Sequence, residues 1–143
     1  MEVIRGGCHC GVIRYELSWP LPMAEIPVRA CGCSFCRKHD GTYTSHRDAV
    51  LMAVISNAAQ VSDYTFGTGT AEFKVCSRCG VVPFVTSEIL GTTYAVVNVN
   101  TFNNVDPARF ERASTDFEGE TLEDRLARRR RSWIPNVTIR FGG

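Results

Sequence analysis

Apolar and polar residues alternate from Val12 to Leu17, with Ile13, Tyr15 and Leu17 on one side and Arg14 and Glu16 on the other. This pattern predicts a half-buried strand. Val50 to Ile55 is an unbroken apolar run. Val61 to Phe66 alternates again, Val61, Asp63 and Thr65 lying opposite Ser62, Tyr64 and Phe66. Gly67-Thr68-Gly69-Thr70 then reads as a turn, and Glu72 to Val75 leads straight into Cys76. Val81 to Thr86 and Tyr94 to Val99 give two more strand-like runs on either side of Gly91. Pro20, Pro22 and Pro27 interrupt the approach to Cys31, which predicts an edge strand or loop rather than a central strand. Ser34 to Asp40 predicts one or two helical turns ended by Gly41.

The last forty residues change character. Asn103-Asn104-Val105-Asp106-Pro107 is turn chemistry, and Glu118 to Arg131 is strongly charged. Thr121 with Asp124 three residues on resembles a capping box. Leu122, Leu126 and Trp133 recur at helical spacing, with acids early and Arg128 to Arg131 late, so one amphipathic helix aligned with its dipole is predicted. Ile134 to Phe141 predicts a closing strand, with Val137, Ile139 and Phe141 on one face. No repeat and no low-complexity linker interrupts the chain.

With 143 residues, of which 44% are apolar and 22% charged, the expectation is a single domain over residues 1–143. A net charge of +1 supplies no global attraction for nucleic acid or membranes. The N-terminal residues lack the apolar region of a signal peptide, and no run approaches the ~18 apolar residues of a membrane span, so a cytoplasmic protein is expected.

Seven cysteines change the picture most. An odd count in a reducing compartment argues against a disulfide framework, whereas knuckle-like spacings argue for metal. Cys31-Gly32-Cys33-Ser34-Phe35-Cys36 places three soft ligands on one loop. Cys8 with Cys10 and Cys76 with Cys79 must pair across the fold to make four. The seven therefore divide into a closed four-thiolate site and a three-thiolate site with a fourth position to spare. The spacing departs from the ferredoxin patterns, which favours zinc over an iron–sulfur cluster. Gly6, Gly7 and Gly11 bracket the first pair, where a metal loop needs close backbone approaches.

Competing expectations accompany each residue. His39, His46 or a carboxylate could complete the triplet and make it a second structural zinc. His9, between two ligands, points away from their metal and is read as solvent-facing. His39 is read first as an exposed loop histidine, with proton transfer as its functional alternative. Arg37 and Lys38 are candidates for docking substrate carboxylates, set against a solvated helix face. Arg128 to Arg131 lack interleaved aromatics and are read as a solvated helix end rather than a nucleic-acid patch.

The stretch Gly6-Gly7-Cys8-His9-Cys10-Gly11-Val12-Ile13-Arg14-Tyr15-Glu16, then Cys31 to Lys38, then Cys76-Ser77-Arg78-Cys79-Gly80 resembles the glutathione-dependent formaldehyde-activating enzyme family, which shares its domain with centromere protein V. The resemblance covers about residues 3–104, with Tyr64 to Gly67 and Val97 to Asn100 agreeing more loosely. It implies a mainly β fold of the β-tent type, small antiparallel sheets with zinc knuckles, here followed by a short C-terminal helix. It implies structural zinc on Cys8, Cys10, Cys76 and Cys79 and catalytic zinc on Cys31, Cys33 and Cys36. The family's named activity joins formaldehyde to glutathione, so a carbon–sulfur lyase acting on a thiol and an aldehyde is expected, with Arg37 or Lys38 holding the thiol's carboxylates. The alternative is a non-catalytic zinc module binding protein or nucleic acid, in which Arg128 to Arg131 would matter more than the triplet.

Overall fold

The computed structural model describes residues 2–20, 26–117 and 119–142; Pro22 and Glu118 of the expectations above lie outside them. Two strands open the chain, β1 (Glu2–Gly7) and β2 (Ile13–Trp19), paired antiparallel from Glu2 with Trp19 to Gly7 with Arg14. Their connecting turn carries Cys8 and Cys10. Ile13, Tyr15 and Leu17 are buried and Arg14 and Glu16 exposed, as the alternation requires. β2 pairs antiparallel with β5 (Val50–Ile55), and β5 pairs parallel with β11 (Asn136–Phe141), which completes a sheet ordered β1-β2-β5-β11.

The second sheet holds β3 (Ile26–Cys31), β4 (Thr42–Thr44), β6 (Val61–Tyr64), β7 (Glu72–Cys76), β8 (Phe84–Ile89), β9 (Thr92–Asn98) and β10 (Phe110–Thr115). Its order is β10-β3-β4-β9-β8-β7-β6. The architecture is mainly β and mostly antiparallel, with the β10–β3 and β11–β5 pairs parallel. Side chains from both sheets share one core, in which Ile4, Ile13, Leu17 and Leu51 meet Ile26, Val28, Phe84 and Val97. Bridges between Gly6 and Phe102 and between Ala95 and Ile134 fasten the surrounding segments to the sheets.

Three local expectations need correction. β3 is internal rather than an edge, because β10 lies against it along its whole length. Pro27 is tolerated because β4 pairs only with Arg29 and Ala30, beyond the proline. The strand expected from Val81 begins instead at Phe84: Pro83 has no N–H to give a ladder, and its carbonyl accepts from the Asn98 N–H at 2.8 Å. The short helix α1 (Ser34–His39) ends at Asp40, which takes the left-handed conformation (φ 59°) one residue before Gly41.

The C-terminal helix α2 (Leu122–Ser132) forms as expected. Thr121 Oγ1 accepts from the Asp124 N–H at 3.2 Å, and acids and arginines sit at the ends that favour them. Its inward face differs from the one expected. Leu122 is 47% exposed, whereas Arg129 is 5% exposed and Trp133 just beyond the helix 7%. Among the described residues no helix is long and apolar enough to cross a membrane.

Gly6 shows how tightly the first hairpin is seated. A Cβ there would lie 2.3 Å from both the Thr101 carbonyl oxygen and the Tyr15 hydroxyl, and the carbonyl belongs to backbone that cannot swing aside. Gly6→Ala is therefore expected to lower stability by about 1–3 kcal/mol, the range for overpacking a filled interior. Urea unfolding of parent and variant checks this.

Candidate functional site

The turn between β1 and β2 is short and folds back on itself. Cys8 donates its backbone N–H to the Ile13 carbonyl at 2.9 Å, and the Ile13 N–H returns a bond to Cys8 Sγ at 3.3 Å. Past β7, the Gly80 N–H bonds the Cys76 carbonyl at 2.7 Å and closes the second knuckle. The two turns bring Cys8, Cys10, Cys76 and Cys79 together with all four Sγ atoms within 4.8 Å of one another. Cys10 Sγ lies 3.7 Å from Cys8 Sγ and 3.5 Å from Cys76 Sγ. Four thiolates at the usual Zn–S length of about 2.3 Å in a tetrahedron stand about 3.8 Å apart, so the donor set and its spacing fit a metal of that kind. His9 is exposed beside the cluster and outside it.

The triplet is built on the β3–α1 junction. Cys31 ends β3, held by its N–H to the Gly41 carbonyl at 3.0 Å, and Gly32 donates to the Thr115 carbonyl of β10 at 2.7 Å. Cys33 is the N-cap of α1, its Sγ accepting from the Cys36 N–H at 3.4 Å. One helical turn then returns Cys36 to the cluster. Gly41 makes room for it, since a Cβ there would stand 3.0 Å from Cys36 Sγ and 2.9 Å from the Tyr43 ring. Cys31, Cys33 and Cys36 place their Sγ atoms within 4.8 Å of one another, and among the described residues no histidine or carboxylate joins them. His39 Nε2 instead meets the Tyr43 hydroxyl at 3.5 Å, and His46 Nδ1 accepts from the Asp48 N–H at 3.0 Å.

In each cluster some sulfurs lose their protons more easily than an ordinary thiol and others hold them more tightly. Cys31 is lowered to about 6, chiefly by the hydrogen bond from the Cys36 thiol, with the Cys33 backbone and the charge of Arg128 adding to it. Cys36 is raised in return. In the four-cysteine cluster, burial raises Cys8 to about 11. Cys79 falls to about 6 despite burial, because the backbone N–H groups of Val81 and Cys10 point at its sulfur. A crowded set of sulfurs holding thiolate character is what a soft cation selects.

A cavity of about 580 Å³ opens against the triplet. Tyr43, Phe66, Phe73, Val85, Val96 and Trp133 give it an apolar wall. Arg29, Arg125, Arg128, Arg129 and Glu120 give it a charged one. Glu120 is gripped by Arg128, whose Nε reaches Oε2 and whose Nη2 reaches Oε1, each at 3.0 Å, while the guanidinium lies 3.7 Å over the Phe117 ring. Arg125 donates to the Phe117 carbonyl at 2.8 Å and stands 3.9 Å from Glu120. Arg129 donates through Nη1 to Thr70 Oγ1 at 2.9 Å and Ser87 Oγ at 3.1 Å, and its Nε has no partner among the described residues. Burial, then the neighbouring Arg128 and Arg125, lower Arg129 to about 10. The Ser45 hydroxyl accepts from Arg29 at 2.6 Å and donates to the Ser132 carbonyl at 2.7 Å, which ties the end of α2 to the same wall.

The arginine run is thus split. Arg128 and Arg129 turn to the cavity, while Arg130 and Arg131 are exposed, so the reading of the whole run as a solvated helix end is wrong for its first half. The sign in the sequence was the spacing of Arg125, Arg129 and Trp133 at i, i+4 and i+8. Of the two cations expected beside the triplet, Arg37 lines a second, more open depression of about 500 Å³ that shares Cys31 and Cys36, and Lys38 is exposed on α1.

The family model for the glutathione-dependent formaldehyde-activating enzyme matches residues 3–118, both cysteine clusters included. The chain belongs to this family. A Halomonas elongata protein provisionally named as a glutathione-dependent formaldehyde-activating enzyme is 33% identical over 85 residues, which are 54% of this chain and 52% of that protein. The alignment therefore spans about half the length of that curated relative. A crystal structure of a Rhodobacter sphaeroides protein superposes with a TM-score of 0.54 at 29% identity, covering 73% of this chain and 92% of the other. Helix α2 lies beyond the residues the family model matches.

Glu120 supplies a test of the charged wall. The Arg128 hydrogen bond, opposed by burial, holds its carboxyl below the ordinary 4.5. A carboxylate lowered in the folded state stabilises it above that ordinary value and ceases to as pH falls through the folded value. The stability advantage of the parent over Glu120→Gln, measured by urea unfolding, is expected at pH 6 and should vanish progressively as pH drops below 4.5.

Proposed function

We propose that this protein is a zinc-dependent enzyme of carbon–sulfur chemistry, joining the sulfur of a small thiol such as glutathione to the carbon of an aldehyde such as formaldehyde, or reversing that step. Residues 1–143 would act as one zinc-binding domain. The observation that carries the reading is the position of Cys31, Cys33 and Cys36: three sulfurs in the wall of a 580 Å³ cavity, with no fourth ligand among the described residues. Family membership supplies glutathione and formaldehyde as the substrates to try first.

Cys8, Cys10, Cys76 and Cys79 would hold a structural zinc, and Cys31, Cys33 and Cys36 a catalytic one. Bound at a three-cysteine site, zinc lowers the pKa of a thiol or polarises a carbonyl oxygen. The chain's own residues do the rest. The aromatic wall of Phe66, Phe73 and Trp133 excludes water from the reacting groups, and the arginine wall, with Arg37 at the neighbouring depression, orients an anionic thiol. The reaction is not a redox step: a sulfur–carbon bond forms, and the thiol proton ends on the former aldehyde oxygen. Because thiols add to formaldehyde unaided, rate depends on positioning the two partners.

A non-catalytic module for nucleic acid is the weaker reading, since half of the basic run it would use faces the cavity.

Elemental analysis of the purified protein should find two zinc ions per chain. Cys33→Ser is expected to stay folded, to fall toward one zinc, and to lose turnover of glutathione and formaldehyde above the spontaneous rate. Cys10→Ser is expected to unfold or melt far lower, since a closed four-ligand site contributes on the order of 10 kcal/mol. One zinc in the parent, or no rate above background with two, contradicts the proposal.

A further inference from the structure

Arg129 is the least expected group in the cavity wall. It is 5% exposed, and among the described residues it is not ion-paired to any carboxylate and its Nε finds no hydrogen-bond partner. A buried guanidinium ordinarily has every donor satisfied, because stripping its water without replacing it costs several kcal/mol. Four guanidinium groups line this cavity, and among the described residues Glu120 is the single carboxylate in its lining. Arg128 already occupies that carboxylate through a two-pronged grip. What the wall lacks is a second carboxylate.

We infer that the α2 side of the cavity is a subsite for a carboxylate carried by the same molecule whose sulfur meets Cys31, Cys33 and Cys36, with Arg129 and Arg125 as its holders. The inference rests on the thiol reading above and adds which residues hold the thiol's carboxylate. The fork of an arginine suits a planar carboxylate, and its bonds to a charged partner strengthen where water is excluded. Arginines, sulfurs and aromatic side chains line one cavity, so a ligand that reaches both the sulfurs and the arginines carries a sulfur, an apolar or amide body and a carboxylate. Helix α2 lies outside the residues matched by the family model. Its hold on the wall is built, through Arg129 to Thr70 and Ser87 and through Ser45 to Ser132.

Calorimetric titration tests the subsite with glutathione, its diethyl ester, S-methylglutathione and inorganic phosphate, on the parent and on Arg129→Gln and Arg125→Gln. Esterification should weaken binding to the parent about tenfold or more, and the two substitutions should each erase most of that difference. Should Arg129→Gln fail to fold, Arg125→Gln carries the test, since its side chain is 20% exposed. Equal binding of acid and ester by the parent overturns the inference, as does discrimination that survives both substitutions. Arginine-dependent phosphate binding without ester discrimination means an adventitious ion only, and also overturns it. Failure of the thiol reading looks different: S-methylglutathione would bind as tightly as glutathione while the preference for acid over ester remained, which would support the carboxylate subsite alone.

Discussion

Four sulfur atoms held within 4.8 Å of one another are the constraint on which the rest of this fold depends. They come from two turns more than sixty residues apart, Cys10 meeting Cys76 across the gap between the sheets. As free thiolates they would repel at this distance; bound to a soft dication they attract. The same contact fixes the β1–β2 hairpin against the knuckle that ends β7, and so the shared core between the sheets. With that core in place, β3 runs through the interior of its sheet and delivers Cys31 at its end. The triplet is then assembled locally by one cap and one helical turn.

The second organising feature is a helix whose buried face is cationic. Arg129 enters the wall through two hydroxyls, an N–H without a partner among the described residues and the Trp133 ring 5.0 Å away. Natural helices bury arginine at a cost in desolvation, so such a face is kept where something anionic comes to meet it. One cavity thus brings together soft sulfur ligands, aromatic rings and guanidinium groups.

Most of this was legible in the residues because the patterns involved are local. The alternation through Ile13, Tyr15 and Leu17, the cap at Thr121 and the three cysteine clusters each declare themselves within a few positions, and the division into four and three sulfurs is what the folded chain assembles. The failures have a common cause in long-range partners. β10 went unseen because Glu111 and Arg112 interrupt its apolar pattern, and what makes it a strand is β3, far back in the chain. The proline-marked approach to Cys31 looked like an edge for the same reason. Arg128 and Arg129 read as a solvent face because a hydrophobic pattern identifies sides that face a core, whereas their side faces a cavity lined by both charged and aromatic groups. Leu122 was misplaced by the same rule in reverse.

X-ray absorption at the zinc edge, on protein carrying two zinc ions, distinguishes one closed and one open cysteine cluster from two closed ones. An average of three and a half sulfurs per zinc is expected, from one four-sulfur and one three-sulfur site, rising toward four when glutathione is added. No such rise is expected in Cys33→Ser. Four sulfurs per zinc before any thiol is added, or a nitrogen ligand that glutathione leaves in place, would contradict an open cluster.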